Sequence, residues 1–210
     1  MTDKVIAVID GDEIAFQIAA ACETRTIKVT NKLNSESSAF KHRTELKKLL
    51  HGLEVPEDFF EVEDVQTADD IANAFHTVKV VVDNVKAACK ADEIEMYLSG
   101  KDNFRDSIPL PSKYKGGRID SIKPILLQDI RAYLVKKYGA VTVDGEEVDD
   151  VLCHRMWDGY KSKQKIVGVT VDKDACSNMG WLYNRDKMTE PEFIDGLGNL
   201  YIDGKNKVRG

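Results

Sequence analysis

Three groups of carboxylates each follow a short apolar run. Val5-Ile6-Ala7-Val8-Ile9 leads into Asp10-Gly11-Asp12, and Ala140-Val141-Thr142-Val143 leads toward Glu147-Val148-Asp149-Asp150. The third run, Ile166-Val167-Gly168-Val169-Thr170-Val171, leads into Asp172-Lys173-Asp174. Hard oxygen donors of this kind suit Mg²⁺ or Mn²⁺. Two such ions about 3.5–4 Å apart can clamp an in-line displacement at phosphorus, one activating water and the other stabilising the leaving oxygen. The chemistry implied is two-metal hydrolysis of a phosphodiester. Each group also has a plainer reading. Acids opening a helix are favoured by its dipole, and Asp-x-Asp after a strand can be an ordinary polar turn. All three arriving together at strand ends favours the chemical reading. The histidines (His42, His51, His76, His154) show no metal-ligand spacing, and the four cysteines include no Cys-x-x-Cys, which argues against a zinc ribbon or redox dithiol.

A second constellation is basic: Asn103-Phe104-Arg105, then Lys113-Tyr114-Lys115-Gly116-Gly117-Arg118. Lysine and arginine bind phosphates, tyrosine stacks on an unpaired base, and glycine lets backbone approach a strand closely. A generic basic loop is the alternative. The net charge of −6 is unevenly spread: residues 101–137 carry +5 and the remainder −11. A basic segment beside an acidic metal site suits a phosphate-bearing polymer.

The elements that must position these residues follow from periodicity. Residues 4–9 read as a buried strand and 12–22 as a helix carrying Ile14, Ile18 and Ala21 on one side. Residues 26–43 alternate around a polar centre, as in an inserted β-hairpin, and 56–65 read as an acidic surface loop. Thr67-Ala68-Asp69-Asp70 caps a helix running to about Lys90, and 93–98 is the next strand. Residues 100–117, with Pro109, Pro111 and Gly116-Gly117, read as a loop or arch. Residues 122–138 form a basic amphipathic helix with Pro124 in its first turn. Strand 140–143, helix 147–159 and strand 165–171 then make a right-handed crossover in a parallel sheet. Trp181-Leu182-Tyr183 reads as an edge strand, and 196–209 as a hairpin turning at Asp203-Gly204. Ligands bind at the carboxyl ends of the strands of such a sheet. The 210 residues suit one α/β domain, with no apolar run long enough to cross a bilayer, no signal peptide, and cysteine usage that fits a reducing cytoplasm.

In order and spacing these motifs resemble the bacteriophage 5′-nucleases, which are similar to flap endonucleases and to the 5′-exonuclease domain of bacterial DNA polymerase I. The resemblance runs from Val5–Asp12 through Phe104-Arg105 and Tyr114-Lys115-Gly116-Gly117-Arg118. It continues through Glu147-x-Asp149-Asp150 and Asp172-Lys173-Asp174. It implies a PIN-like three-layer α/β fold with a central, mainly parallel sheet, an inserted β-hairpin at 26–43 and a helical arch at 101–123. It implies two Mg²⁺ or Mn²⁺ ions and 5′-to-3′ hydrolysis of DNA with a free 5′ end, or of RNA in RNA–DNA hybrids. The work would be that of a phage replication enzyme in the host cytoplasm. Asp10, Glu147, Asp149 and Asp150 match first-ion ligands, and Asp172 and Asp174 match second-ion ligands. Lys115 and Arg118 match catalytic residues at the scissile phosphate. Arg105, Lys113 and Tyr114 join them in holding substrate, with Tyr114 stacking on the displaced nucleotide.

Two departures stand out. Relatives carry a metal-linked Asp near the position of Leu98, where this chain reads Leu98-Ser99-Gly100-Lys101-Asp102. Relatives also continue past Arg209 into a helix-hairpin-helix element that grips duplex DNA and adds acids to the second ion. The expectation is therefore weakened duplex binding and an impaired second metal site, with a further segment or a replication or recombination protein as partner. Two other readings stay open. One is a haloacid dehalogenase-type phosphatase with Asp10 as nucleophile, although Ile14 stands where Thr or Val is usual. The other is a catalytically impaired nucleic-acid-binding remnant.

Overall fold

The computed structural model describes residues 4–109 and 122–195, and the backbone of 201–202 and 208–209. Strand β1 (Ile6–Asp10) is apolar on both sides: Ala7 and Ile9 face one layer of helices, Ile6 and Val8 the other. This two-sided burial marks a central strand of a parallel sheet. Helix α1 (Gly11–Ala21) starts directly from it, and the Asp10 carboxylate caps the helix by accepting from Glu13 N–H at 3.1 Å. A Cβ at Gly11 would lie 2.8 Å from the Tyr97 carbonyl oxygen and 2.9 Å from Leu98 Cδ2, so this turn needs glycine.

The chain then leaves the main body. Strands β2 (Glu23–Asn31) and β3 (Ser37–Phe40) form the expected hairpin, but the insertion is larger than that. Helix α2 (Arg43–Leu53) follows, and β4 (Phe60–Ala68) pairs antiparallel with the whole of β2. The stretch expected as a loop at 56–65 is thus mostly strand. Its Glu61, Glu63 and Asp64 gave it a loop's composition, yet Phe60 and Val62 pack onto a small core of Ile27, Val29, Leu46 and Leu50.

Helix α3 (Ile71–Cys89) is capped by Asp70. Val78, Val82, Val85 and Cys89 are buried at helical spacing, and this face overrides the β preference of Val80-Val81-Val82. Then come β5 (Glu93–Asn103), α4 (Leu127–Tyr138), β6 (Val141–Gly145), α5 (Val148–Ser162) and β7 (Ile166–Val169), followed by β8 (Gly180–Tyr183), β9 (Glu192–Ile194), β10 (Tyr201–Ile202) and β11 (Val208–Arg209). The main sheet has the order β6-β5-β1-β7-β8-β9, all parallel except β9. Helices α1, α3 and α4 pack on one face and α5 on the other, giving three layers.

Three boundaries differ from expectation. Helix α4 starts at Leu127 rather than near 122, because Pro124 shapes a preceding turn in which Leu127 N–H donates to the Pro124 carbonyl. Strand β8 is internal, since β9 covers it as the edge. Strand β5 runs on to Asn103 and a short 3₁₀ turn at Phe104–Ser107. Most of the arch expected at 101–123 lies outside the described residues, as does the turn of the β10–β11 hairpin.

The inserted sheet holds one foot of that segment. The Glu23 side chain is 1% exposed and accepts from Ile125 N–H at 2.7 Å and from Gln66 Nε2 at 3.0 Å, with Arg25 Nε at 2.5 Å. Burial works to raise the Glu23 carboxyl, but these hydrogen bonds outweigh it and hold it below its usual range. Arg25 and Gln66 also donate to the carbonyls of Ile122 and Lys123, both at 3.1 Å.

Gly11→Val is expected to destabilise the chain by about 1–3 kcal/mol through overpacking against β5. Gly52→Ala, in open space on α2, is expected to stabilise it by about 0.5–1 kcal/mol. Urea unfolding midpoints check both, and a neutral Gly11→Val would contradict the close approach.

Candidate active site

Because β1, β5, β6 and β7 are parallel, their carboxyl ends share one edge. Strand β6 does not touch β1, since β5 lies between them. The second acid group reaches Asp10 by another route. Val148 and Leu152 of α5 pack onto Ile6, Val8 and Ile166, which brings the helix N-terminus over β1 and β7. Two adjoining clefts result. The first, of about 520 Å³, is lined by Asp10, Asp12, Glu13, Glu147, Asp149 and Asp172 among others. The second, of about 460 Å³, is lined by Arg105, Glu147, Asp149, Asp150, Asp172 and Asp174 among others. All six sequence-predicted carboxylates line one or both, and Glu147, Asp149 and Asp172 form the wall between. Asp150 lies in the second cleft with Asp174, whereas the resemblance implied a place with Asp10.

Arginines offset the crowded negative charge. The buried Glu147 carboxylate accepts from Asn103 Nδ2 at 2.9 Å and pairs with Arg105 Nη1 at 2.5 Å. Arg105 also pairs with Asp150 at 3.0 Å. This residue, expected to hold substrate, therefore lies against the acids themselves. Arg131 pairs with Asp12 and donates to the Ser99 carbonyl at 2.5 Å, while Asp12 accepts from Ser99 N–H at 2.6 Å.

Glu13 ties the first strand end to the third. One carboxylate oxygen accepts from Thr170 Oγ1 at 3.0 Å and from Val171 N–H at 2.7 Å, and the other from Arg185 Nη2 at 2.6 Å. Thr170 Oγ1 in turn accepts from Asp172 N–H at 3.0 Å. Asp172 uses its own side chain to cap the short turn at Lys173–Ser177, accepting from Asp174 N–H at 3.0 Å. The relative placement of Asp10 and Asp172 thus passes through Glu13 and Thr170.

Burial pushes the Asp10 carboxyl up from 3.8 to about 7, and the nearby Asp149 and Glu13 carboxylates add to the rise. The hydrogen bond from Glu13 N–H and the charge of Arg185 oppose it. Cys153, in the second cleft, is held protonated by burial and by Asp149 and Asp150, its thiol pushed up to about 11. Asp10, Glu147, Asp149, Asp150, Asp172 and Asp174 therefore offer hard oxygen donors with no thiolate, which fits Mg²⁺ or Mn²⁺ rather than a soft metal. Among the described residues, however, no three His, Cys, Asp or Glu side chains stand close enough together to hold one ion. The donor chemistry fits such an ion, and the side chains as they stand do not gather around one.

Lys113, Tyr114, Lys115 and Arg118 lie outside the described residues. Sequence reading missed Glu13, Arg131 and Arg185, and placed Asn103 only in the basic constellation, without its bond to Glu147. Glu13 was visible in principle, since an acid three residues after a capping Asp is a helix-start signature. Asn103 and the arginines carry no spacing signal, because distant segments bring them in.

No family model matches the chain, and no curated protein matches it. Its fold is similar to that of the T5 D15 protein, solved co-crystallised with metal ions. The TM-score is 0.51 and the identity 10%, over 90% of this chain and 58% of that one. The chain therefore spans under three fifths of that protein's length. At this identity the likeness shows the fold. Among the described residues, no helix is long and apolar enough to cross a membrane.

Two predictions follow from the geometry. Between pH about 4 and about 7 the folded chain keeps a proton on Asp10 that the unfolded chain has released, so stability falls as pH rises through that window. Asn at this position keeps the cap without the charge. Asp10→Asn should therefore raise the guanidinium midpoint in EDTA at about pH 8 and leave it nearly unchanged at about pH 3; a uniform change at both values would contradict this. Glu13→Ala should cost at least about 1.5–3 kcal/mol by the same assay, since three donors lose a charged acceptor.

Proposed function

We propose that the chain is a divalent-cation-dependent nuclease of the PIN-like 5′-nuclease group, cleaving DNA phosphodiesters from a free 5′ end. One observation carries this: six carboxylates from the ends of three parallel strands line two adjoining clefts and share the wall between them. A phosphate substrate repelled by such an edge needs cations to approach it. In this reading Asp10, Glu147 and Asp149 hold one ion, and Asp150, Asp172 and Asp174 the other. When bound, the two ions supply an activated water and a sink for charge on the leaving oxygen. The remaining work falls to the chain. Glu13 fixes the spacing of Asp10 and Asp172 through Thr170. Arg105 neutralises Glu147 and Asp150, and must turn away for them to bind a cation fully. Lys115 and Arg118, by their place in the motif, stabilise charge on the scissile phosphate, while Lys113 and Tyr114 hold the strand. The fold shared with a protein co-crystallised with metal ions supports the cation requirement.

A second reading, nucleic-acid binding without cleavage, is favoured by Arg105 lying between two of the acids. The phosphatase reading has less support, because Asp12, its acid, is held by Ser99 and Arg131.

A 5′-labelled flap duplex with Mg²⁺ or Mn²⁺ is expected to be cleaved by the wild type, with at least about a hundredfold loss in Asp149→Asn plus Asp150→Asn. Cleavage persisting in the double variant would sink the metal-site assignment. Strand binding without cleavage in either metal would select the second reading. Lys115→Ala is expected to lower kcat more than it raises KM, and the opposite split would make Lys115 a phosphate tether.

A further inference from the structure

A face at the opposite edge of the sheet plays no part in this chemistry. Helix α5 ends at Ser162, Lys163 takes a left-handed conformation (φ 61°), and the chain turns at once into β7. This turn lies at the amino end of β7, whereas Asp172 follows its carboxyl end. Lys161, Lys163 and Lys165 fall within five residues there. Beside them are four aromatic side chains in a chain of ring contacts: Trp157–Tyr160 at 5.3 Å, Tyr160–Phe193 at 6.2 Å and Phe193–Trp181 at 5.5 Å. Trp157, Tyr160 and Phe193 are 44%, 43% and 42% exposed. Lys165 Nζ stands 4.2 Å over the Trp181 ring. A cavity of about 570 Å³ opens between the lysines and the rings, and among the described residues no acid lines it.

We propose that this face binds single-stranded nucleic acid, the exposed rings stacking on bases and the three lysines pairing with phosphates. Exposed aromatic rings beside a row of cations form the usual platform for an unpaired strand, because every base has a face to stack and every linkage a charge to meet. A protein partner fits less well, since lysine is depleted at protein–protein interfaces. Among the described residues the row is paired with a single acid, Asp158, bonded to Lys161 at 3.1 Å with both side chains about half exposed, so the pair holds that lysine weakly. On β9, Glu192 points to the face opposite Phe193. This face lies at the far edge of the sheet from the six carboxylates and would bind a strand whether or not they support cleavage.

The chain supplies its own reporter, because its two tryptophans, Trp157 and Trp181, both lie in this face. The full chain in EDTA is titrated with a short oligothymidylate while tryptophan emission is followed. Saturable quenching that weakens with salt is expected. Tyr160→Ala plus Phe193→Ala, and separately Lys163→Glu plus Lys165→Glu, should each weaken binding about tenfold or more, with circular dichroism confirming that each variant folds. Asp149→Asn plus Asp150→Asn should leave the quenching unchanged. The proposal is overturned by absent quenching, by quenching that survives the lysine reversals, or by thymidine monophosphate binding as tightly as the oligomer. It is also overturned if emission follows protein concentration instead of oligomer, since a second copy would then cover the face. Loss of flap cleavage with this quenching intact would count against the nuclease alone.

Discussion

Like-charge crowding at one edge of the main sheet is the constraint that the rest of the structure answers. Two carboxylates about 4 Å apart repel by about 4 kcal/mol at the effective dielectric near a protein surface. The fold offsets this in three ways. It opens α1 and α5 at the edge, so that Asp10, Asp149 and Asp150 lie at positive helix ends. It brings in Arg105, Arg131 and Arg185 from three separate segments. It lets Asp10 stay protonated toward neutral pH. On the proposed reading, each of these offsets is weaker than a divalent ion and would yield to one.

The brace through Glu13 shows why the offset does not simply neutralise the site. Glu13 is itself an acid, and it is fully used in bridging α1 to the segment after β7. It adds negative charge but removes freedom, so the two segments that carry Asp10 and Asp172 into the first cleft are tied to one side chain, while each of those carboxylates keeps its own capping bond. Rigid elements that carry a site in this way lower the reorganisation needed when a charged substrate arrives.

The scaffold was legible wherever periodicity was strong. The two-sided apolar run of β1, the buried stripe of α3 and the β6–α5–β7 crossover were all readable from residue spacing. The inserted sheet was half legible: β4 hid behind its outward acids, and the pairing that makes it a strand lies in β2, whose partners stand 29 to 45 residues earlier, from Asn31↔Phe60 to Glu23↔Ala68. The six carboxylates were legible because each group follows an apolar run. Their partners were not. Arg105, Arg131 and Arg185 belong to segments that sequence periodicity describes only as turn, helix and loop, and their roles arise from tertiary placement. The start of α4 was misplaced because Pro124 suits a first helical turn and a preceding turn equally well.

The Glu23 node has an evolutionary consequence. It pins the chain at Ile122–Ile125, while Asn103 and Arg105 pin it at the other end against Glu147 and Asp150. Between two such clasps, lengthening a loop costs closure entropy that grows only with the logarithm of its length, about 0.6 kcal/mol per doubling. Descendants of this chain could therefore exchange or extend that segment while both clasps and the sheet edge stay in place. The spacing of the two clasps could then stay fixed while the length of chain between them changes.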